Sequence, residues 1–129
     1  MGFFKKEIDI NSNKDLQTIV NDFSSYLKEQ NWQVQSNVTD DKAILQAQKP
    51  GILRDLIAAD RALTFVFEKN QSGGFHVTTG VGKKAENLAI TAIEVLLLSE
   101  IFIFIDIPEI LFAEVVEKDL LKQLEAIAM

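Results

Sequence analysis

Apolar positions in the first two thirds of the chain change period once, from helical spacing to strand alternation. Leu16, Ile19, Val20, Phe23, Tyr26 and Leu27 recur three and four residues apart, which predicts an amphipathic helix of about four turns ending near Gln30 or Asn31. Ser12-Asn13-Lys14-Asp15 precedes it as a capping box, with the hydroxyl at the N-cap and a carboxylate three residues on. Trp32, Val34 and Val38 then alternate with Gln33, Gln35 and Asn37, the pattern of a half-buried strand. Thr39-Asp40-Asp41 supplies a turn, Ala43, Leu45 and Ala47 alternate again, and Pro50-Gly51 closes that second strand. Residues 61–68 are apolar on both faces, so this strand belongs at the centre of the sheet. A hairpin over 70–74 leads to a fourth strand with Phe75, Val77, Thr79 and Val81 inward, and Gly80 and Gly82 mark its exit from the sheet. Residues 52–60 fit either a short helix or a strand extension.

The last third has a different character. Of the 29 residues from 88 to 116, only Thr91, Glu94, Ser99, Glu100, Asp106, Pro108, Glu109 and Glu114 are not apolar. The pattern predicts a helix from about Lys84 to Ile105, a break over 106–109, and a second helix. In the second helix Asp106 caps and Pro108 sits in the first turn. It places Ala113, Val116, Leu120, Leu124 and Ile127 on one stripe and Lys118, Lys122 and Glu125 opposite, as a docking helix does. The first helix has no wet face, because Glu94, Glu100 and Asp106 fall at roughly 0°, 240° and 120° around it. Its Ile101–Ile105 run also fits a buried fifth strand.

A helix that is apolar all round is buried in protein or lies in lipid. Residues 88–105 extend about 27 Å as a helix, barely a bilayer's core. Their twelve Leu, Ile, Val and Phe contribute about −4 to −7 kcal/mol towards insertion, and two glutamates oppose that by about as much. Burial against the sheet and against a second copy accounts for the pattern with fewer assumptions.

Composition sharpens this division. The chain has 129 residues, 47% hydrophobic and 25% charged, the size and balance of a single globular domain. Thirteen cations against nineteen acids give −6 overall. Residues 1–84 carry eleven and ten, a net of +1; residues 85–129 carry two and nine, a net of −7. No Lys or Arg occurs from Ala85 to Glu117. A nucleic-acid partner, which needs clustered cations, is not expected. Zero cysteines exclude disulfides and thiolate chemistry, and a single histidine excludes any site built from two imidazoles. No cofactor, metal or catalytic residue is expected.

The candidates for chemistry are few. His76 falls on the outward side of its strand and reads as an exposed strand histidine. Asp40-Asp41 lacks the spacing of a calcium loop and reads as a turn. Arg54-Asp55 and Asp60-Arg61 read as surface ion pairs. Gly80-Val81-Gly82-Lys83-Lys84, leading a strand into a helix, has a geometry that favours anions but lacks the spacing of a phosphate loop. Glu94 and Glu100 are the acids placed for burial, where desolvation raises a carboxyl pKa; the other reading leaves them at a wet rim. Met1-Gly2-Phe3-Phe4-Lys5-Lys6 fits an interfacial anchor, and fits an ordinary first strand or frayed end better.

Residues 49–56 (KPGILRDL), then 61–64 (RALT) and the turn at Gly80–Gly82, resemble a pattern in small uncharacterised bacterial proteins. In those, a polar sheet domain precedes a hydrophobic, often membrane-associated helical hairpin. The likeness covers about residues 43–120 and implies no catalytic residues; Glu94, Glu100 and Asp106 depart from the hairpin's pattern.

The expectation is therefore a single α+β domain over 1–129: an N-terminal helix, a four-stranded antiparallel sheet over the rest of 1–84, and two C-terminal helices over 85–129. It is non-enzymatic and cytoplasmic, and its apolar tail drives self-association or partner binding, most simply as a homodimer. Leu97, Ile101, Phe102, Phe104, Ile105 and Phe112 are the expected contact residues. Two alternatives use the same tail: a lipid-like ligand held between sheet and helix, or peripheral attachment to a membrane surface through Phe3, Phe4 and the tail.

Overall fold

A computed structural model of the chain describes residues 5–48, 61–71, 73–88 and 120–129. Ile8 and Ile10, alternating with Glu7 and Asp9, make the first element a strand, β1 (Lys5–Ile10). It pairs antiparallel with the fourth strand of the expected sheet, Ile8 opposite Val77 and Ile10 opposite Phe75. Among the described residues the sheet thus has five strands rather than four, and a strand precedes the first helix. Two isoleucines that complete an apolar face are the physical reason.

Helix α1 (Leu16–Glu29) follows. Its N-cap is Asp15, whose carboxylate accepts the Thr18 N–H at 2.8 Å, and not Ser12 as expected. Ser12 is committed elsewhere: its hydroxyl donates to the Ala128 carbonyl at 2.5 Å and accepts the Lys14 N–H. The helix ends as a Schellman motif. Asn31 takes the left-handed conformation (φ 70°), its N–H meets the Lys28 carbonyl, and the Trp32 N–H reaches back to Leu27. Leu16, Ile19, Val20, Phe23 and Leu27 are buried, the stripe expected from their spacing. Phe23 stands edge-on to Phe65 with ring centres 5.1 Å apart.

Strands β2 (Gln33–Val38), β3 (Lys42–Gln48), β4 (Arg61–Lys69) and β5 (Phe75–Lys83) form a meander, and the spatial order is β1-β5-β4-β3-β2, all antiparallel. β1 and β2 therefore run parallel at opposite edges, and α1 crosses the sheet between them. β4 holds the centre, as its two-sided apolar character required, and residues 62–67 are buried throughout. β5 does not leave the sheet at its glycines: Gly80 pairs with Thr64 and Lys5, and Gly82 with Ala62. Extended glycine satisfies the ladder as any residue does, because the ladder uses only backbone.

Helix α2 (Lys122–Ala128) packs beside α1. Leu120, Leu121, Leu124 and Ala128 are buried, Ile127 is half-buried, and Lys122 and Glu125 face solvent, which matches the docking stripe in this part of it. Lys14 donates to the Ile127 carbonyl at 2.6 Å, a cation at the negative end of the helix. Both helices cover one face of the sheet, where Leu45, Leu63, Phe65, Phe67, Phe75 and Val77 form the core with α1. Thr79 is on that face with its hydroxyl buried and, among the described residues, without a hydrogen-bond partner. The expected helix over 84–105 does not begin at Lys84, since 84–87 are irregular; its remainder, the break at 106–109, and residues 49–60 lie outside the described residues.

The β4–β5 hairpin depends on Gly74. Its φ is +74°, and a side chain there would fall on the Ile10 carbonyl oxygen and lie 2.9 Å from the Asn11 Cα. Gly73 (φ +103°) faces open space. Gly74→Ala is expected to lower stability by at least about 2 kcal/mol, through backbone strain plus a clash with the end of β1. Gly73→Ala should cost only the strain, about 1 kcal/mol. Urea denaturation of the two variants checks the order.

Candidate functional site

The sheet face away from the helices carries the polar structure of interest. Gln35 and Gln46 stand on it side by side, paired across β2 and β3. Gln46 is 2% exposed, yet every polar atom of its amide is used. Its Nε2 donates to the Lys83 carbonyl at 2.7 Å and to the Thr64 hydroxyl at 3.0 Å. Its Oε1 accepts the Ala85 N–H at 2.8 Å and a longer bond from Gln35 at 3.3 Å. Gln35 repeats the arrangement one step along: Nε2 donates to the Ala85 carbonyl at 2.8 Å and Oε1 accepts the Leu88 N–H at 3.3 Å. Each side-chain amide thus acts as a strand residue would, donating to and accepting from the backbone of 83–88. The segment leaves β5, passes over β4 and crosses towards β2. Ala62 opposite Gly82 leaves room for it to lie low on the sheet.

Beside this clasp is a cleft of about 180 Å³ lined by Gln33, Val34, Gln35, Gln46, Gln48, Ala62, Lys84 and Glu86. Its polar lining is four glutamine amides and one charge of each sign, beside Val34 and Ala62, so what it offers a ligand is mainly hydrogen bonding. The anion geometry expected at 80–84 is not formed. The strand continues to Lys83, and the N–H groups of Ala85 and Leu88 point into glutamine oxygens.

A second cluster lies at the far edge. His76 is across from Asp9 in the β1–β5 register, with Nδ1 2.9 Å from the Asp9 carboxylate and Nε2 3.2 Å from Glu7. Both ring nitrogens face acceptors, which only the doubly protonated ring can satisfy. The bond to Asp9 raises the His76 pKa most, burial opposes it, and the bond to Glu7 adds to the rise. The same bond holds the Asp9 carboxyl below its ordinary value. Glu68 pairs with His76 from β4. Among the described residues no group of three or more His, Asp or Glu is arranged to hold a metal ion.

His76 is therefore on the outward face as expected, but is engaged by two carboxylates rather than free. Asp40 and Asp41 form an exposed turn, where Thr39 accepts and donates across to Lys42. Arg61 opens β4. Leu97, Ile101, Phe102, Phe104, Ile105, Phe112, Glu94 and Glu100, with Arg54, Asp55, Asp60, Phe3 and Phe4, lie outside the described residues. Gln35 and Gln46 were not anticipated. Their signal is a buried glutamine on the same strand face as Ile44, next to a strand already predicted to be central. Among the described residues no helix is long and apolar enough to cross a membrane. No protein-family model, curated protein or solved structure matches the chain.

Gln46→Leu should cost about 2–3 kcal/mol in urea denaturation, because it strands the Ala85 N–H and the Lys83 carbonyl. Gln35→Leu, at a half-buried position, should cost less. For His76, the raised folded pKa makes its contribution complete below the unfolded value near 6.5, and that contribution is lost as pH rises through the folded value. Asp9 contributes above its unfolded value and loses that contribution as pH falls through its lowered folded one. Thermal midpoints should fall between about pH 6 and about pH 8, and His76→Asn should flatten that fall. An equal slope in the variant would remove His76 as its cause.

Proposed function

We propose that this is a non-enzymatic self-association domain, in which the sheet and its helices present the apolar segment 89–119 to a second copy. The supporting observation is how little apolar surface the second sheet face offers that segment. Leu88, fixed by Gln35, starts it on the face away from α1, and Leu120 ends it on the α1 side. The apolar bed on the second face is Ile44, Ala62, Val66 and Leu88 with the bare backbone of Gly80 and Gly82. Gln33 and Gln35 bound it on β2, and Glu7, Asp9 and His76 bound it on the β1 side.

Three strands, β3 to β5, span about 10 Å between outer axes. That is the diameter of one helix with its side chains, about 10–12 Å. Residues 89–116 carry seventeen Leu, Ile, Val and Phe distributed around every side of a helical wheel. A bed one helix wide offers an apolar surface to only one stripe of such a pattern, and the remainder needs another. At roughly 25 cal/mol per Å² of buried apolar area, leaving it in water is the less stable state. Leu97, Ile101, Phe102, Phe104, Ile105 and Phe112 are the proposed contacts.

Light scattering at micromolar concentration should give a multiple of the 14.5 kDa chain mass, and non-ionic detergent or Phe102→Glu should lower it. A mass that responds to neither overturns the reading. Native mass spectrometry distinguishes a co-purified lipid-like ligand, which would appear as added mass on a single chain.

A further inference from the structure

The two edges of the sheet differ in kind. β1 has four charged residues in six, Lys5, Lys6, Glu7 and Asp9, the usual protection of an exposed edge against pairing. β2 (QVQSNV) has none, and no proline. Among the described residues nothing pairs with its outer side. Which backbone groups face outward follows from the hairpin. The Thr39 N–H bonds to the Lys42 carbonyl, so 39 and 42 are a hydrogen-bonded pair. Alternation then makes 37, 35 and 33 bond to β3, and turns the N–H and C=O of Val34, Ser36 and Val38 out of the sheet.

We propose that this edge pairs antiparallel with β2 of a second copy, in the register that sets Ser36 opposite the partner's Ser36. That register is self-complementary in three respects. All six outward groups find partners, since Val34 then faces the partner's Val38 and Val38 the partner's Val34. Side-chain faces match, because equal parity keeps every valine on the helix side of the sheet. Both valines already pack at the margin of the core, and the pairing extends that margin across the axis. On the other face Gln35 stands opposite the partner's Asn37, an uncharged pair. A register shifted by two, centred on Gln35, pairs only four outward groups and sets valine against serine. The interface is separate from the apolar segment and does not rest on it.

The test is amide hydrogen exchange by NMR on the full chain in non-ionic detergent, which masks association through apolar side chains. The amides of Val34, Ser36 and Val38 should exchange at least about tenfold more slowly at high protein concentration than at low. Ser36→Pro removes an outward N–H that β3 does not use, and should abolish that dependence with β4 amides still protected. Equal exchange at both concentrations overturns the proposal, as does concentration dependence that survives in a folded Ser36→Pro chain. Should that variant fail to fold, the concentration dependence of the unmodified chain decides. Protection independent of protein concentration, the mark of some other occupant, also overturns it. Failure of the apolar-segment reading is seen separately, in a mass indifferent to detergent and to Phe102→Glu.

Discussion

A backbone that leaves a sheet and turns across its face carries N–H and C=O groups away from the ladder, and each must be satisfied again. Here the amides of Gln46 and Gln35 do so, taking two bonds apiece from 83–88. The consequences reach well beyond local satisfaction. This clasp puts Leu88, where the most apolar part of the sequence begins, on the face opposite α1 and α2. Without it, nothing in the alternation of β5 would choose between the two faces, since Gly80 and Gly82 leave its end without side chains there. Neutral amides suit the task because they donate and accept at once. A carboxylate or an ammonium could meet only half of the bonds and would carry a charge into a nearly dry site.

What the sequence made legible was whatever depends on period. The buried stripe of α1, the central place of β4 and the inward set Phe75, Val77, Thr79 and Val81 all follow from spacing and appear as expected. What it hid depends on partners distant in sequence. β1 has only two apolar residues, and becomes a strand because β5 offers Val77 and Phe75 to them. Ser12 resembles an N-cap locally, and is drawn off by a carbonyl 116 residues away. Gly80 and Gly82 look like an exit because strand propensity counts side chains, whereas the ladder here is made by backbone, with β4 for both and with β1 as well for Gly80. The site was hidden for the same reason. Glutamine in a half-polar strand is unremarkable until the segment it grips is known, and Gln35 grips residues some fifty positions later.

Not every polar group is so well placed. The Thr79 hydroxyl is buried under the helices with no partner among the described residues, a loss of about 1–3 kcal/mol relative to a satisfied one. Its neighbour on β4 is Phe65, which can offer nothing. The core face tolerates this because so much of it is aromatic and aliphatic: Phe23, Phe65, Phe67 and Phe75 are all fully buried. Among the described residues the aromatic core is on the helix side, while the second face holds the amides, the histidine–carboxylate contacts and the narrow apolar bed.

The difference between the edges bears on how assembly would end. A sheet joined through β2 and its symmetry mate has ten strands, and both outer edges are then β1. Each has four charged residues in six, and in each Asp9 and Glu7 are tied inward by His76. On the pairing proposed above, such an edge resists a third copy because charged residues on a strand edge protect it against pairing, whereas β2 carries none. The pairing is isologous, one patch against itself about a two-fold axis, so it closes by construction. An uncharged edge on a chain that also carries a long apolar run would otherwise invite open-ended growth. Confining it to one side, with charge fixed on the other, is a physical way for such a sequence to associate and stop.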